Sequence, residues 1–317
     1  MNDACQPAVS VVMATFNRPE YLRAAIESVL TQTGVELELI IADDGSDAPT
    51  RELLRAFERP PLRVLWLAHC GNPGAVRNAA VRAARGQYIA FIDSDDVWLP
   101  SKLERQLASL HRQADCRWSY TACVHIDAQG NRVSPKGVQP WQPHSGPMLE
   151  AVAGLRAHSA LPTVLVERDL LLEAGLFDER LAFFEDHDLW LRLALRSEAD
   201  VVTQPLVQVR RHDHHYSGHN ELTTAECRAV FLDRAWRSVT SVPLRAQLRR
   251  TRALNASRLA RLRAATGATT AARSTLRSSL ADGWRYSRWW IDAAICLFAS
   301  LVKRTDKSAP AAADVGG

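Results

Sequence analysis

Hydrophobic positions in the first 113 residues follow two alternating patterns. Short, mostly apolar runs at 9–14, 37–42, 62–67 and 88–92 are separated by segments whose apolar residues recur at helical spacing. The runs have the length of strands buried on both faces, and the segments between them read as amphipathic helices. In the first helix Leu22, Ala25, Ile26, Val29 and Leu30 share a face. Asn17 is positioned to cap it, Pro19 suits its first turn, and it runs to about Gln32 before Gly34 closes it. A second helix occupies 50–58, and Asn72-Pro73 opens a third, buried through Val76, Ala79, Ala80 and Ala83. After Pro100, Ser101 and Glu104 read as a capping box for a helix with Leu103, Leu107 and Leu110 inward. This alternation predicts an α/β protein with a doubly wound, mostly parallel sheet. The loops after successive strands then gather along one edge, so residues 15–18, 43–46 and 93–96 are expected to meet.

Past residue 113 the pattern is less regular. Strands are predicted at 120–126 and 163–166, with a turn at Gly130-Asn131 between them, and the Pro-, Gly- and Gln-rich stretch 134–147 reads as a lid-like loop. A short helix at 169–174 is stopped by Gly175, and a longer one through Leu189 and Leu195 carries Glu185, Asp186 and Asp188 in its first turn. Acids there complement the helix dipole, so Asp186 or Asp188 could serve that purpose alone. From about residue 220 the chain turns to Ala, Arg and Leu, with amphipathic helices at 222–237 and 244–265 whose outer faces are rich in arginine. Residues 284–304 hold an apolar run too short to span a bilayer, flanked by Trp, Tyr and Arg. An interfacial membrane helix, a core helix and a dimer contact all fit that run. Residues 305–317 are small and polar and read as a disordered tail.

Charge sharpens the division. The net charge of +4 conceals 20 Lys+Arg against 27 Asp+Glu in residues 1–204, and 19 against 8 in 205–317. The basic surplus is therefore confined to the last third, where it suits solvent or an anionic membrane surface, and no nucleic acid partner is expected. Six cysteines are scattered without C-x-x-C pairs, and the first fourteen residues lack the basic start of a signal peptide. Both features point to a reduced, cytoplasmic setting, with peripheral attachment to the membrane's cytoplasmic face as an extension. Oligomeric state is left open.

The candidate chemistry lies where core strands end in acids. The second strand runs into Asp43-Asp44-Gly45-Ser46, and the fourth into Asp93-Ser94-Asp95-Asp96. Mutually repelling carboxylates at the mouth of a strand are tolerable around a hard divalent cation, and ligands of open α/β sheets collect at this edge. Neither G-x-G-x-x-G after the first strand nor G-x-x-x-x-G-K-[ST] occurs, which speaks against dinucleotide and P-loop enzymes. Phosphate bound here would be neutralised by metal and arginine.

Seven segments in order resemble the inverting glycosyltransferases of family 2, which have the GT-A fold. They are Val9 to Asn17 with Arg18-Pro19; Asp43-Asp44-Gly45-Ser46; Gly74 to Asn78; Gly86-Gln87-Tyr88 leading into Asp93-Ser94-Asp95-Asp96; Gly175 to Asp178; Glu185-Asp186; and Arg210-Arg211-His212. The resemblance covers about residues 8–217. It implies a GT-A domain at 1–217, with a nucleotide-sugar half at about 1–113 and an acceptor half at 114–217, followed by a helical appendage at 218–304. It also implies transfer of a sugar from a nucleotide-diphosphate-sugar to a glycan or lipid-linked acceptor. Thr15, Phe16, Asn17, Arg18 and Asp44 would hold the nucleotide, and Arg77 would steady it or its diphosphate. Asp93 and Asp95 match the D-x-D motif, which with His212 would meet Mn²⁺ or Mg²⁺. Asp186 matches the general base, and Glu185 is better placed to orient than to react. His214, His215 and His219 read as loop residues. Ala14 departs from the Pro or Thr of many relatives, which bears on the base contacts. A nucleotidyltransferase that makes sugar nucleotides is the rival enzyme class, but its Gly-rich loop has no counterpart in Thr15 to Glu20. The rival without activity is a scaffold that only binds sugar nucleotide, against which stands the presence of both Asp95 and Asp186.

Overall fold

Four apolar strands build the parallel half of the sheet: β1 (Val9–Thr15), β2 (Leu37–Asp43), β3 (Leu62–Trp66) and β4 (Tyr88–Asp93). They lie in the order β3-β2-β1-β4. The register sets Thr15 beside Asp43 and Ala14 beside Asp93, so the acids end level with one another. This computed structural model describes residues 6–134, 141–156, 160–212 and 220–305, with 298–305 as backbone alone. The tail beyond 305, His214, His215, His219 and the middle of the 134–147 loop lie outside the described residues. The chain divides into two compact units, Met1–Tyr216 and Ser217–Gly317.

Helices α1 (Pro19–Leu30), α2 (Ala48–Phe57) and α3 (Pro73–Ala83) connect the parallel strands. Asp47 caps α2 through the Thr50 N–H, and Asn72 caps α3 through the Ala75 N–H. At α1 the structure differs from expectation. Asn17 adopts a left-handed conformation (φ 49°) and its side chain accepts the Asp47 N–H at 2.8 Å, so it ties two loops together and caps nothing. The capping box before α4 (Lys102–Leu110) is also absent. The Ser101 hydroxyl accepts from Arg105, and Glu104 accepts from Thr33. Lys102 is fully buried instead, its Nζ 3.9 Å from the centre of the Trp98 ring.

The rest of the first unit is mixed. It comprises β5 (Val97–Trp98), β6 (Cys116–Ile126), β7 (Arg132–Val133), α5 (Leu149–Ala153), β8 (Val164–Glu167), α6 (Arg168–Glu173), α7 (Glu185–Ala194) and β9 (Glu198–Arg210). The sheet continues from β4 as β8-β6-β9-β5, with β7 on the side of β6. β8 runs antiparallel to both neighbours, whereas β6 and β9 are parallel. One face of the sheet is filled by Leu22, Ile26, Leu103 and Trp98, among others. Elsewhere Phe91, Phe177, Trp190 and Trp118 form a chain of ring contacts that seats α7.

The second unit is helical: α8 (Glu221–Ser238), α9 (Val242–Ala265), α10 (Thr269–Gly283) and α11 (Ser287–Thr305). Its core is built largely from alanines, Ala253, Ala260, Ala264, Ala272 and Ala293, closed by Leu276, Trp289 and Cys296. On α11, Trp289 and Cys296 face inward while Trp290, Ile291 and Ile295 are about half exposed. The core-helix reading of this segment thus describes its inner face, and its outer face is exposed. No described helix is long and apolar enough to cross a membrane.

Candidate active site

The loops after β1, β2 and β3 form a single structure. Asp44 donates its N–H to the Thr15 carbonyl at 3.0 Å, and Asn17 donates to the Ser46 hydroxyl at 3.0 Å. Both oxygens of the Asp44 carboxylate accept backbone N–H groups, from Cys70 at 2.8 Å and Gly71 at 2.9 Å, and His69 Nδ1 stands 3.0 Å from Oδ2. Gly45 makes this possible: at φ 77° a Cβ would come within 2.9 Å of the His69 nitrogen. His69 in turn stacks on Phe16, ring centres 4.2 Å apart. The Thr15 hydroxyl is buried with no hydrogen-bond partner among the described residues. Thr15, Phe16, Asp44 and His69 are therefore brought together at one end of the sheet. No motif in the sequence singles out His69, since it lies between two strand-end loops and reaches Phe16 only through the fold.

The loop after β4 is held from β9. Arg210 donates its N–H to Asp96 Oδ1 at 2.8 Å and its Nε to the Asp95 carbonyl at 2.9 Å, and its guanidinium reaches the carbonyls of Asp127 and Ala128. Asp95 Oδ2 receives both Arg18 and His212, the latter at 2.9 Å. Tyr21 lies against His212 and Arg210. Asp96 is pushed well above the usual carboxylate range by burial and then by Asp95 and Asp93.

Arg77 is the centre of the other half. From α3 it donates to Asp93 Oδ1 at 2.8 Å and to Glu185 Oε1 at 3.0 Å, bringing the end of β4 against the first turn of α7. The chain enters α7 through Phe184 in the left-handed conformation (φ 62°), costly for an aromatic residue, and this aims Glu185 and Asp186 together. The two neighbours then diverge. Withdrawal from solvent, followed by repulsion from Asp186, pushes Glu185 up to about 7 despite Arg77. Burial opposes ionisation of Asp186 too, but His187 outweighs it: the backbone N–H and ring Nδ1 both meet Asp186 Oδ1, at 2.6 and 2.8 Å, and hold it below its ordinary value. Carboxylates pushed apart in this way can fill different acid and base roles. Asp93 is raised by burial and then by Asp95 and Asp186, although a third of its side chain is exposed. Asp188 is buried and paired with Arg192 at 2.9 Å, which gives it a structural role.

Among the described residues no group of three or more His, Cys, Asp or Glu is arranged to hold a metal ion. Asp95 and His212 converge, whereas Asp93 directs an oxygen to Arg77. One carboxylate and one imidazole, completed by phosphate oxygens and water, make a reasonable donor set for Mg²⁺ or Mn²⁺. The residues thus fit a cation that arrives with a diphosphate, not a cage made by protein alone.

Residues 10–133 match the model of glycosyl transferase family 2. An uncharacterised glycosyltransferase of Methanocaldococcus jannaschii is 30% identical over 211 residues, 65% of this chain and 71% of the relative. The UDP-Glc:alpha-D-GlcNAc-diphosphoundecaprenol beta-1,3-glucosyltransferase WfgD of Escherichia coli is 36% identical over 102 residues, 32% of this chain and 40% of the relative. Among solved structures, S. aureus TarS 1–349 in complex with UDP-GlcNAc superposes with a TM-score of 0.61 at 20% identity, over 80% of this chain and 70% of that one, a likeness of fold. Strand-end acids on a GT-A sheet, the matching family model and a relative aligned over most of its length agree: this chain belongs to glycosyltransferase family 2.

Proposed function

We propose that the protein transfers a sugar from a nucleoside-diphosphate-sugar to a hydroxyl of a glycan or lipid-linked acceptor, with inversion at the anomeric carbon and with help from Mn²⁺ or Mg²⁺. The observation that carries this reading is Arg77, which joins Asp93 at the end of β4 to Glu185 at the start of α7 and so brings the D-x-D loop beside Asp186. Residues 1–113 hold the donor and 114–217 the acceptor side. Phe16 and His69 offer an aromatic face to the base, with the Asp44 carboxylate and the Thr15 hydroxyl at its edge. Arg18 gathers with His212 at Asp95, where Asn17 fixes the loop, and attracts the diphosphate. A divalent cation held by Asp95 and His212, with Asp93 alongside, would supply neutralising charge for the departing diphosphate.

Asp186 takes the proton from the acceptor hydroxyl while that oxygen attacks the anomeric carbon. The new carbon–oxygen bond forms as the bond to the diphosphate breaks on the opposite face, which inverts the centre. His187 fixes Asp186 Oδ1, and Glu185 with Arg77 sets the entry of α7. A lipid-linked acceptor is supported by the diphosphoundecaprenol in the name of the E. coli relative, and by the half-exposed Trp290, Ile291 and Ile295 of α11, which suit a cytoplasmic membrane surface. In the deciding experiment, Asp186→Asn lowers kcat for transfer by about 10²- to 10⁴-fold while the donor Kd stays within a few-fold, and chelation with EDTA removes wild-type turnover until Mn²⁺ is restored. Wild-type turnover by Asp186→Asn would end the assignment of the base.

A further inference from the structure

The outward face of α11 inverts the usual order of a helix on a folded unit. The one acid of this helix, Asp292, is 2% exposed. It is held inside by the Ser257 hydroxyl at 3.1 Å and by Arg261 at 3.0 Å, with Arg288 at 3.7 Å. Trp289 is buried too, its indole N–H donated to the Ser279 hydroxyl at 2.9 Å, and Gly283 leaves room for that ring, which a Cβ would strike. These contacts fix the rotation of the helix about its own axis. Trp290, Ile291, Ala294, Ile295 and Leu297 fall at helical spacing on the opposite side, and all are exposed. Leu280 of α10 and Trp284 just beyond it are exposed as well. The Trp290 indole N–H is satisfied within the chain, by the Trp284 carbonyl at 2.8 Å, so its ring can leave water without stranding a donor.

Apolar side chains held outward in this way gain only when something covers them, and the charges around them indicate what does. Arg277 precedes Leu280 by three residues on α10, Arg285 lies over the Trp284 ring at 5.3 Å, and Arg288 stands at the edge of the α11 face; all three are exposed. Both acids of α10 and α11 are already engaged, Asp292 as above and Asp282 with Arg249 at 3.6 Å. Two copies meeting through this face about a two-fold axis would set the same arginines against one another. An anionic bilayer instead places headgroup phosphates on the arginines and takes tryptophan and isoleucine at the boundary of its apolar layer. We infer that this face docks the helical unit on an anionic membrane, with Trp284, Trp290, Ile291 and Ile295 inserted and Arg277 and Arg285 on the headgroups. Docking here serves the lipid-linked acceptor proposed above and rests on that reading for its purpose, though not for its geometry.

The test sediments the full chain with phosphatidylcholine vesicles and with vesicles that also contain phosphatidylglycerol, without donor or acceptor. Wild type should sediment with the anionic vesicles and stay largely in solution with the neutral ones. Trp290→Ser/Ile291→Ser/Ile295→Ser should weaken binding to the anionic vesicles at least tenfold, whereas Val242→Ser, at a position of α9 that is 79% exposed, should leave it unchanged. Should the triple variant fail to fold, Arg277→Gln/Arg285→Gln keeps the apolar face and should weaken the same binding at least threefold. Wild-type protein that stays in solution with both vesicles, or face variants that sediment as wild type does, would overturn the assignment. Equal binding of wild type to both vesicles would overturn the part given to the arginines. A dimer in sedimentation velocity that the triple variant abolishes, without vesicle binding, would give the face to a second copy. Asp186→Asn should sediment with vesicles as wild type does, so failure of the base and failure of the docking face are read separately.

Discussion

The acid-rich sheet edge and the arginine-rich helical unit solve opposite problems with charge. At the sheet edge carboxylates crowd together and each is held by fixed donors: backbone N–H groups for Asp44, Arg210 for Asp96, and a single buried guanidinium for Asp93 and Glu185. In the helical unit most of the described arginines are exposed, and surface pairs such as Arg237 with Asp233 stand alongside the buried Asp292 held by Arg261. Geometry is thus tightly specified at the first site and loosely at the second. Charges withdrawn from water interact strongly and cannot be left unmatched, while exposed ones are screened and replaceable. Removing single charges from each region should expose this difference.

The largest effect is expected at Arg77. Arg77→Met leaves two carboxylates without their shared cation and should cost about 3–5 kcal/mol of stability. Chemical denaturation at pH 8 measures the loss, which should shrink at pH 5, where Glu185 can take up a proton. A variant as stable as wild type at pH 8 would mean that the acids are not coupled through Arg77.

Glu185 sharpens the same point through pH. Its folded value of about 7 lies above its ordinary 4.5, so between these pH values the folded protein retains a proton that the unfolded chain releases. The associated stability is fully present below about pH 4.5 and is lost as pH rises through 7. Glu185→Gln should therefore flatten the fall in melting temperature between pH 5 and 8, and an unchanged slope would contradict the shift.

Glu38 should behave with the opposite sign. Burial alone would raise it, but the Ser10 hydroxyl, the Arg85 N–H and the guanidiniums of Arg85 and Arg63 bring it below 4.5. Its contribution is present above pH 4.5 and is lost as pH falls through the folded value. Glu38→Gln should destabilise at pH 7, and by less as the pH is lowered below 4.5, as read by paired melts. The smallest effect belongs to Arg237→Ala, because Arg252 also pairs with Asp233. Its denaturation midpoint should match wild type within error, and a clear drop would show that the helical unit is less tolerant than its exposed pairs imply.

The parallel half of the sheet was legible because its strands are largely buried and so appear as short, mostly apolar runs, two of which, β2 and β4, end in acids. β9 gave no such signal. Its apolar residues are interrupted by Thr203, Gln204 and Pro205, and the pairing with β6 shifts register between Thr121 and Cys123, opposite that interruption. Two-residue β5 was too short to show any period. The caps failed for two reasons: the Asn17 side chain is taken by the Asp47 N–H, which only the folded chain brings near, and the Ser101 hydroxyl accepts from Arg105 one turn on in its own helix. Motifs singled out Arg77, Asp95, Asp186 and His212 as candidates, whereas the contacts of His69 with Phe16 and of His187 with Asp186 are ones that spacing does not reveal.

By itself the sequence determined the class of fold, the edge at which acids collect and the basic character of the last third, because burial and charge are written locally in residue type. Only the tertiary structure decided that Arg77 joins Asp93 to Glu185, that Asp188 belongs to Arg192, and that Asp292 is buried against Arg261 while its helix turns apolar residues outward. Each of those depends on distances between segments far apart in the chain, and such distances are fixed by the packing of whole elements and not by any one of them.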